Sequence, residues 1–148
     1  MDFVLKIVSN KAITVPAVAW LVAQTLKVVN IIIRDRKLDF TRFVGSGGMP
    51  SSHSSFIVAL AVVVGKNLGY DSLEFGITVA VAMIVMYDAA GVRRAAGKHA
   101  EVLNKLTRVL SGQEKMHFDE DLKELLGHTP LEVVMGALLG ILLGLWLG

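Results

Sequence analysis

The chain has 148 residues, of which 53% are hydrophobic and 19% are charged, and its mean hydropathy is +0.59. Soluble domains are less apolar and carry more charge, at about 45–50% and about 25% of their residues. The absence of cysteine excludes disulfide bonds and thiol chemistry, and the net charge of +2 gives no reason to expect a nucleic-acid partner.

Four apolar stretches hold nearly all of the excess hydrophobicity: Ala12–Ile33, Ser54–Leu68, Phe75–Val92 and Leu131–Leu147. A membrane span requires roughly 20 mostly apolar residues, about 17 at the short end. A soluble helical protein is the alternative, but a 16.0 kDa domain has little interior in which to bury four such helices. The sequence therefore predicts an all-α polytopic membrane bundle of about four spans, as one domain over residues 1–148.

The basic residues are concentrated in two of the three connections between these stretches. Residues 34–49 and 93–127 hold 11 of the 15 lysines and arginines, and the short connection at 69–74 holds none of them. With four spans, the two basic connections lie on the same side of the membrane, which the positive-inside rule assigns to the cytoplasm. We therefore expect an integral membrane protein whose two basic connections face the cytoplasm.

The third connection is itself predicted to be helical. Residues 98–110 place apolar side chains at helical spacing, which predicts an amphipathic helix on the membrane surface or over the bundle. A second short helix is expected at 119–126. Thr129 and Pro130 then open the last span, with threonine as the cap and proline at the first helical position.

Unusual polar residues lie at one end of every predicted span. Because consecutive spans alternate in direction, these ends share one face, the face assigned to the cytoplasm. Ionisable groups at membrane depth are costly and usually mark function. The residues are Lys27, Arg34, Ser51, Ser52, His53, Asp88, Arg93, Arg94, His128 and Glu132.

The segment GGMPSSHS, residues 47–54, leads into the second span. Its simplest interpretation is a flexible turn followed by a serine helix cap. The alternative is an anion site supported by Gly48, because backbone N–H groups and the helix dipole converge at such a helix start. His53 favours phosphate binding, since an imidazole in the first turn can donate a proton to a leaving oxygen.

His128 and Glu132 allow two interpretations of equal weight. Residues 129–132, Thr-Pro-Leu-Glu, form a capping box in which the glutamate reaches back to the start of the helix. In the other interpretation Glu132 holds and polarises His128 as a nucleophile, as a carboxylate orients a catalytic imidazole.

Three cations and one acid at the same face also have two interpretations. Lys27 either snorkels to the interface or neutralises a bound phosphate. Arg93 and Arg94 either anchor the topology or turn one guanidinium inward as a bidentate phosphate clamp. Asp88 is by pattern the most buried acid, and it is expected to pair with one of these cations.

The run Pro50-Ser51-Ser52-His53 resembles the Pro-Ser-Gly-His motif of the type 2 phosphatidic acid phosphatase superfamily, which includes the vanadium haloperoxidases. The resemblance implies that His53 is the acid that protonates the leaving alcohol and that Ser51 binds phosphate. From Gln24 onward the chain is similar to a divergent branch of small bacterial and plastid membrane proteins, and this resemblance implies a bacterial inner membrane protein with its site facing the cytoplasm. The segments that carry this likeness are GGMPSSHS, YDAAGVRR, EVLN and GHTPLEVVMGALLG.

Two further motifs of that superfamily are matched in part. Lys27 and Arg34 have the spacing of the first motif, although Asp35 replaces its proline. His128 and Glu132 match the second half of the third motif, with glutamate in place of aspartate. The resemblance therefore implies that His128 is the nucleophile.

The arginine of the third motif is missing, because Leu122 occupies its place. Arg93 or Arg94 is then expected to supply the guanidinium from another helix. A rival placement joins Arg93 to His99 as the nucleophile, but Leu103 stands where the acid is required.

The function implied is that of a metal-independent lipid phosphate phosphatase that forms a phosphohistidine and needs no cofactor. Phosphatidylglycerophosphate, phosphatidic acid and polyprenyl phosphate are the candidate substrates in the bilayer. Because the third motif is incomplete, the alternative is a non-catalytic protein that binds phospholipid headgroups or a protein partner. Gly136, Gly140 and Gly144 form one face of the last span, which is either the seam of a homo-oligomer or close packing within the bundle.

Overall fold

The computed structural model describes residues 2–35, 48–111 and 127–148, and its helices are α1 Asp2–Ser9, α2 Lys11–Asp35, α3 Ser52–Leu68, α4 Leu73–Ala90, α5 Val92–Ser111 and α6 Pro130–Leu147. The short helix expected at 119–126 and the basic residues at 36–42 lie outside the described residues.

α1 is a helix that the sequence patterns did not predict. It packs against the start of α2, and Asn10 separates the two helices. The Asn10 side chain begins α2 by accepting a hydrogen bond from the Ala12 N–H at 2.9 Å. An asparagine at this position satisfies a backbone donor that the first helical turn leaves unpaired.

α3 lies at the centre of the bundle, where it contacts α2, α4 and α6. Small side chains permit this close approach, and Ser55 and Ala59 are both 0% exposed. The Ser55 hydroxyl donates to the backbone carbonyl of Ala19 in α2 at 3.0 Å. Small residues and interhelical hydrogen bonds of this kind hold helices together in an apolar medium.

Three glycines of α6 lie directly against α3. A Cβ atom added at Gly136 would lie 2.3 Å from the Ser51 carbonyl oxygen, and one at Gly140 would lie 2.6 Å from the Ser55 carbonyl oxygen. Gly144 continues this contact one turn deeper. The glycine face is therefore used for packing inside the bundle, which decides between its two interpretations. A homo-oligomer is still a prediction, but the glycine face is occupied by α3 and is not its interface.

Only Gly91 separates α4 from α5, and hydrogen bonds of helical spacing reach it from both sides. α4 ends at Ala90, within the apolar stretch predicted to run to Val92, and α5, the amphipathic helix predicted at 98–110, already begins at Val92. The sequence pattern placed the start of α5 too late because helical hydrogen bonding begins before the apolar side chains of 98–110.

Three segments of the described chain are long and apolar enough to span a membrane: Lys11–Asn30, Leu73–Thr107, which runs from α4 into α5, and Pro130–Leu147. α3 is shorter, with 17 residues, and at 1.5 Å per residue it is about 26 Å long, close to the thickness of a bilayer's hydrocarbon core. Apolar side chains such as Ile84, which is 68% exposed, face outward as a lipid environment requires. The protein is an all-α membrane helix bundle, as the sequence predicted.

Candidate functional site

The polar residues singled out from the sequence meet at one end of the bundle, called here the site end. The Lys27 ammonium donates to the Ser52 hydroxyl at 3.2 Å and joins α2 to α3. The Ser51 N–H donates to the Glu132 carbonyl at 2.9 Å, and the His128 N–H donates to a carbonyl at the end of α4. The four span ends therefore lie together, as their alternating directions predicted.

The start of α3 is capped by Ser51, whose hydroxyl oxygen accepts from the N–H and the hydroxyl of Ser54 at 3.4 and 3.0 Å. Both serines are fully buried. Gly48, just before this cap, has a φ of 87°, a conformation that favours glycine. A Cβ there would meet the Lys27 side chain at 3.9 Å. The serine cap is confirmed, and phosphate binding at the same helix start stays a prediction.

Lys27 does not snorkel to solvent, because it is 3% exposed and its ammonium is turned toward α3. It interacts electrostatically with Glu132 and with His128 of the α6 start. A buried cation is costly unless it has partners. Its position between α2, α3 and α6 suits a group that receives an anion.

Glu132 contacts both the helix cap and the His128 ring through a single carboxylate oxygen, while the role of His128 as a nucleophile stays a prediction. Oε2 accepts from the Thr129 N–H at 3.0 Å, while the Glu132 N–H donates to the Thr129 hydroxyl at 3.3 Å, which completes the capping box. The same Oε2 lies 3.2 Å from Nδ1 of His128. When a carboxylate oxygen accepts from Nδ1, a neutral imidazole carries its proton on Nδ1 and leaves Nε2 unprotonated. The helix cap thus fixes the group that orients the imidazole.

The His128 ring is 2% exposed, and its Nε2 is buried without a hydrogen-bond partner among the described residues. Its centroid lies 6.2 Å from that of the exposed His53 ring, with an angle of 62° between the planes. Burial lowers the pKa of His128 below its ordinary value of 6.5 and Lys27 lowers it further, while Glu132 opposes both. A neutral imidazole with an unoccupied nitrogen is the form that a nucleophile requires.

Asp88 and Arg93 form an ion pair across the junction of α4 and α5, with Oδ2 and Nε 2.6 Å apart. The expected pairing of Asp88 with a cation is confirmed. The prediction that Asp88 is the most buried acid is wrong, because its side chain is 38% exposed against 21% for Glu132. The physical reason is that α4 ends two residues later, so the pair stays open to solvent. Arg93 also interacts electrostatically with His53.

Two of the remaining candidates are exposed on α5, and the side chain of a third lies outside the described residues. The Arg94 side chain is exposed, and its backbone packs so closely on Gly127 that a Cβ there would lie 2.3 Å from the Arg94 nitrogen. His99, the rival nucleophile, is exposed on α5, whereas His128 is buried. Arg34 lies in the last turn of α2, and its side chain is outside the described residues.

An apolar groove with a volume of about 500 Å³ runs between α2 and α6 beside the site end. Its walls include Leu26, Pro50, Met135 and Leu138, and Asn30 is the one polar residue among the described residues that line it. No local sequence pattern predicts this groove, because its walls come from two helices and a loop that are distant in the sequence. The one available signal was an asparagine three residues after Lys27.

The distance between the two imidazoles tests whether they are close enough to share one phosphate. Two imidazoles that share one phosphate must lie within about 8 Å of each other, the span of a phosphate and two hydrogen bonds. The ring centroids of His53 and His128 meet this condition at 6.2 Å. Within residues 2–35, 48–111 and 127–148, no group of three or more histidine, aspartate or glutamate side chains is arranged to hold a metal ion.

Comparison with known proteins gives two matches that cover almost the whole chain. The family model described as "Divergent PAP2 family" matches residues 8–143. The uncharacterized membrane protein YuiD of Bacillus subtilis (strain 168) is 39% identical over 151 residues, which cover 95% of this chain and 96% of that protein. No solved structure matches the chain.

Proposed function

The chain belongs to the divergent PAP2 family, and from this premise we propose that it is a metal-independent phosphatase of membrane lipid phosphates. The observation that carries the proposal is the imidazole pair at the site end. Nδ1 of His128 is held by Glu132, while Nε2 is buried and unpartnered among the described residues. Residues 1–148 then act as a single membrane-embedded phosphatase-like domain.

In the first step, Nε2 of His128 attacks the phosphorus atom and the bond from phosphorus to the leaving oxygen breaks. His53 gives its proton to that oxygen, which departs as a lipid alcohol. Glu132 stabilises the positive charge that His128 gains as a phosphohistidine. Because Nε2 is buried among the described residues, a neighbouring group must move before phosphate can reach it.

In the second step, water attacks the phosphohistidine and the bond from phosphorus to Nε2 breaks. His53 now accepts the proton of the attacking water, which regenerates both imidazoles and releases inorganic phosphate. Lys27 and Arg93 stabilise the charge that gathers on the equatorial oxygens in both steps. Ser51, Ser52, Arg34 and Arg94 remain candidates for further phosphate contacts.

The proposed substrates are phosphomonoesters with apolar tails, because the site end lies at the level of the lipid headgroups. The protein should release phosphate from phosphatidylglycerophosphate or phosphatidic acid vesicles in the presence of EDTA, and His128→Ala should remove that activity. A labelled phosphoenzyme that is stable in base and labile in acid should form in the intact protein. Phosphate release that survives in His128→Ala would overturn the assignment of the nucleophile.

Binding without turnover has a different signature in the same preparation. If lipid phosphates bind and His128→Ala weakens their binding, but no lipid releases phosphate, the protein is a headgroup-binding member of the family and the catalytic proposal fails. If neither binding nor release is seen, both fail.

We place the site end on the cytoplasmic side of the bacterial inner membrane. The basic residues of α5 adjoin this end and support that orientation by the positive-inside rule. Because the chain has no cysteine, single variants can be labelled without background. In intact cells an impermeant thiol reagent should label Ser9→Cys and leave Ala96→Cys unlabelled, and the reverse pattern would contradict the orientation.

A further inference from the structure

We propose that α5 is a membrane-surface helix that binds the anionic lipid headgroups of the leaflet at the site end, and that this docking controls the position of His128. It assigns a partner and a regulatory role to the part of α5 beyond Arg94, which no catalytic step uses. The effect on turnover rests on the proposed function, whereas the binding of α5 to lipid does not.

α5 begins at the membrane surface and leaves the bundle there. α4 has 18 residues and is therefore about 27 Å long, close to the thickness of a bilayer's hydrocarbon core. Only Gly91 separates α4 from α5. Among the described helices α5 contacts α4 alone, so it does not lie over the ends of α2, α3 and α6. Of the two positions predicted for this helix, the membrane surface is the one that these contacts allow.

One face of α5 presents large apolar side chains that no part of the chain covers. Val102, Leu106 and Val109 follow one another at spacings of four and three residues, which places them on one face of the helix. They are 56%, 53% and 68% exposed. The buried residues Ala100 and Asn104 lie on the opposite face. An exposed apolar row on a helix that starts at the membrane surface is typical of a helix lying in the interface of a bilayer.

The charge of α5 selects anionic lipids as the partner. The helix Val92–Ser111 contains five basic residues and one acidic residue, Glu101. Lys98 and Lys105 are exposed, and they lie about 60° around the helix from the apolar row. Lysines at such an edge reach the headgroups when the apolar row enters the bilayer, and a negatively charged leaflet attracts them. A second copy of the chain would bring the same cations together, which like-charge repulsion disfavours.

The start of α5 is packed directly against the backbone that carries His128. A Cβ atom added at Gly127 would lie 2.3 Å from the Arg94 nitrogen and 2.7 Å from the Arg93 carbonyl carbon. The next residue, His128, donates its backbone N–H to the Ala89 carbonyl at 2.9 Å. Because no space remains between these backbones, a change in the tilt of α5 shifts the start of α6. Docking in the plane of the membrane therefore fixes the tilt of α5 and the place of the imidazole.

The first experiment measures docking without requiring turnover. Because the chain has no cysteine, a spin label can be placed singly at Leu106→Cys, Val109→Cys or Glu101→Cys in the full chain in nanodiscs. As phosphatidylglycerol replaces phosphatidylcholine, the labels at 106 and 109 should gain collisions with oxygen and lose collisions with a water-soluble nickel chelate. The label at 101, outside the apolar row, should stay accessible to nickel.

Two results of this experiment would overturn the docking. Labels at 106 and 109 that remain as accessible to nickel as the label at 101 would show that α5 extends into water. Labels shielded from both reagents would show that protein, such as a second copy of the chain, covers the apolar row.

The second experiment tests the charge. With the label at 109, the ratio of docked to free α5 in phosphatidylglycerol nanodiscs should fall by about fivefold for each lysine removed, in Lys98→Gln and in Lys105→Gln. The matched control is Lys98→Arg/Lys105→Arg, which keeps both charges and should dock as the wild type does. Equal docking in the double glutamine variant would show that the lysines do not bind headgroups.

The third experiment tests the control of His128 with p-nitrophenyl phosphate. This substrate is soluble and anionic, so an anionic leaflet repels it and cannot raise its turnover by concentrating it. Phosphate release should nevertheless rise with the phosphatidylglycerol fraction, and Lys98→Gln/Lys105→Gln should lose this rise. In neutral detergent micelles the wild type and the variant should have equal rates, because no anionic headgroup is present. A rate that does not depend on phosphatidylglycerol, or a dependence that survives in the variant, would overturn the control of His128 by α5.

The outcomes separate docking from catalysis. Labels that enter the bilayer in a protein that releases no phosphate would support the docking of α5 and reject the phosphatase. Binding of inorganic phosphate, followed by phosphorus NMR, then reports on the site, and it should strengthen with phosphatidylglycerol. Phosphate release with labels that stay in water would support the phosphatase and reject the docking.

Discussion

The two ends of the bundle both place lysines near helix termini, but they use them differently. At the far end, Lys66 donates to the carbonyls of Leu145 and Gly148 at 2.8 and 3.0 Å, and Lys11 donates to Gly148 at 3.2 Å. The lysine ammonium groups there donate hydrogen bonds to backbone carbonyls that have no helical partner at the end of α6. At the site end, Lys27 reaches a serine hydroxyl at the start of a helix, where a cation is electrostatically unfavourable.

The comparison separates exposed lysines with a structural role from a buried lysine that, in the proposed function, binds phosphate. The far-end lysines are exposed and have backbone partners that account for their positions. Lys27 is buried beside His128, whose Nε2 lacks a partner in the described part of the chain. In the proposed function, the phosphate would interact with both groups at once, and the helix dipole at the start of α3 would favour this anion for the same reason that it disfavours the lysine.

The largest effect is expected when the proton donor at the site end is removed. His53→Ala should lower kcat for a lipid phosphate by about a thousandfold, within the range for general acid catalysis. For an aryl phosphate such as p-nitrophenyl phosphate the loss should be much smaller, because its leaving oxygen needs no proton. Both rates are measured by phosphate release. Equal losses for the two substrates would show that His53 is not the acid.

A second prediction separates the two roles of Glu132. Glu132→Gln keeps an acceptor for the Thr129 N–H but removes the charge that orients His128, so kcat should fall about a hundredfold with little change in melting temperature. Glu132→Ala should have a similar kcat and should also lose about 1 kcal/mol of stability, the usual worth of a helix cap. If Glu132→Gln retained full activity, the carboxylate would be a cap alone.

A third prediction concerns the contact that positions α3 against α6. Gly136→Ala should destabilise the protein by about 1–3 kcal/mol, because its methyl group collides with the Ser51 carbonyl and overpacking costs that much. Gly76→Ala is the matched control, since a Cβ at Gly76 meets nothing within 4 Å. Thermal unfolding in detergent measures both variants. Equal melting temperatures would show that the helices are not this close.

The differences between the two ends also show which features could be predicted from the sequence and which could not. The lengths of the apolar stretches and the distribution of basic residues predicted four spans and their directions across the membrane. The alternating directions of the spans were enough to predict that Lys27, Ser52 and His128 lie at one face. The solvent exposure of each side chain was harder to predict, because it depends on where the helix that carries it and the neighbouring helices end. Asp88 reads as buried within an apolar run, yet α4 ends two residues later. The groove could not be predicted from the sequence, because it depends on the distance between α2 and α6, and no local sequence pattern gives that distance.

A fourth prediction compares how a lysine at each end of the bundle affects the pH dependence of kcat/KM. His128 must be unprotonated to attack, so kcat/KM falls as the pH drops through its pKa. Burial lowers that pKa below 6.5 and Lys27 lowers it further. Lys27→Met should therefore raise the pKa and move the acidic limb of the kcat/KM profile to higher pH. Lys66→Met removes the same charge at the far end and should leave the limb in place. A limb that stays fixed in Lys27→Met would contradict the proximity of the two groups.

The smallest effect is expected at the far end itself. Lys66→Met should lower stability by about 0.3–1 kcal/mol, the value of a cation at a helix C-terminus, and should not change phosphate release. Lys98→Met, an exposed lysine within α5, is the matched control and should change neither quantity. Denaturant unfolding in mixed micelles measures the difference. If Lys66→Met instead reduced catalysis as strongly as Lys27→Met, the lysines at the two ends would share one role, and the distinction between a structural cation and a ligand-binding cation would fail.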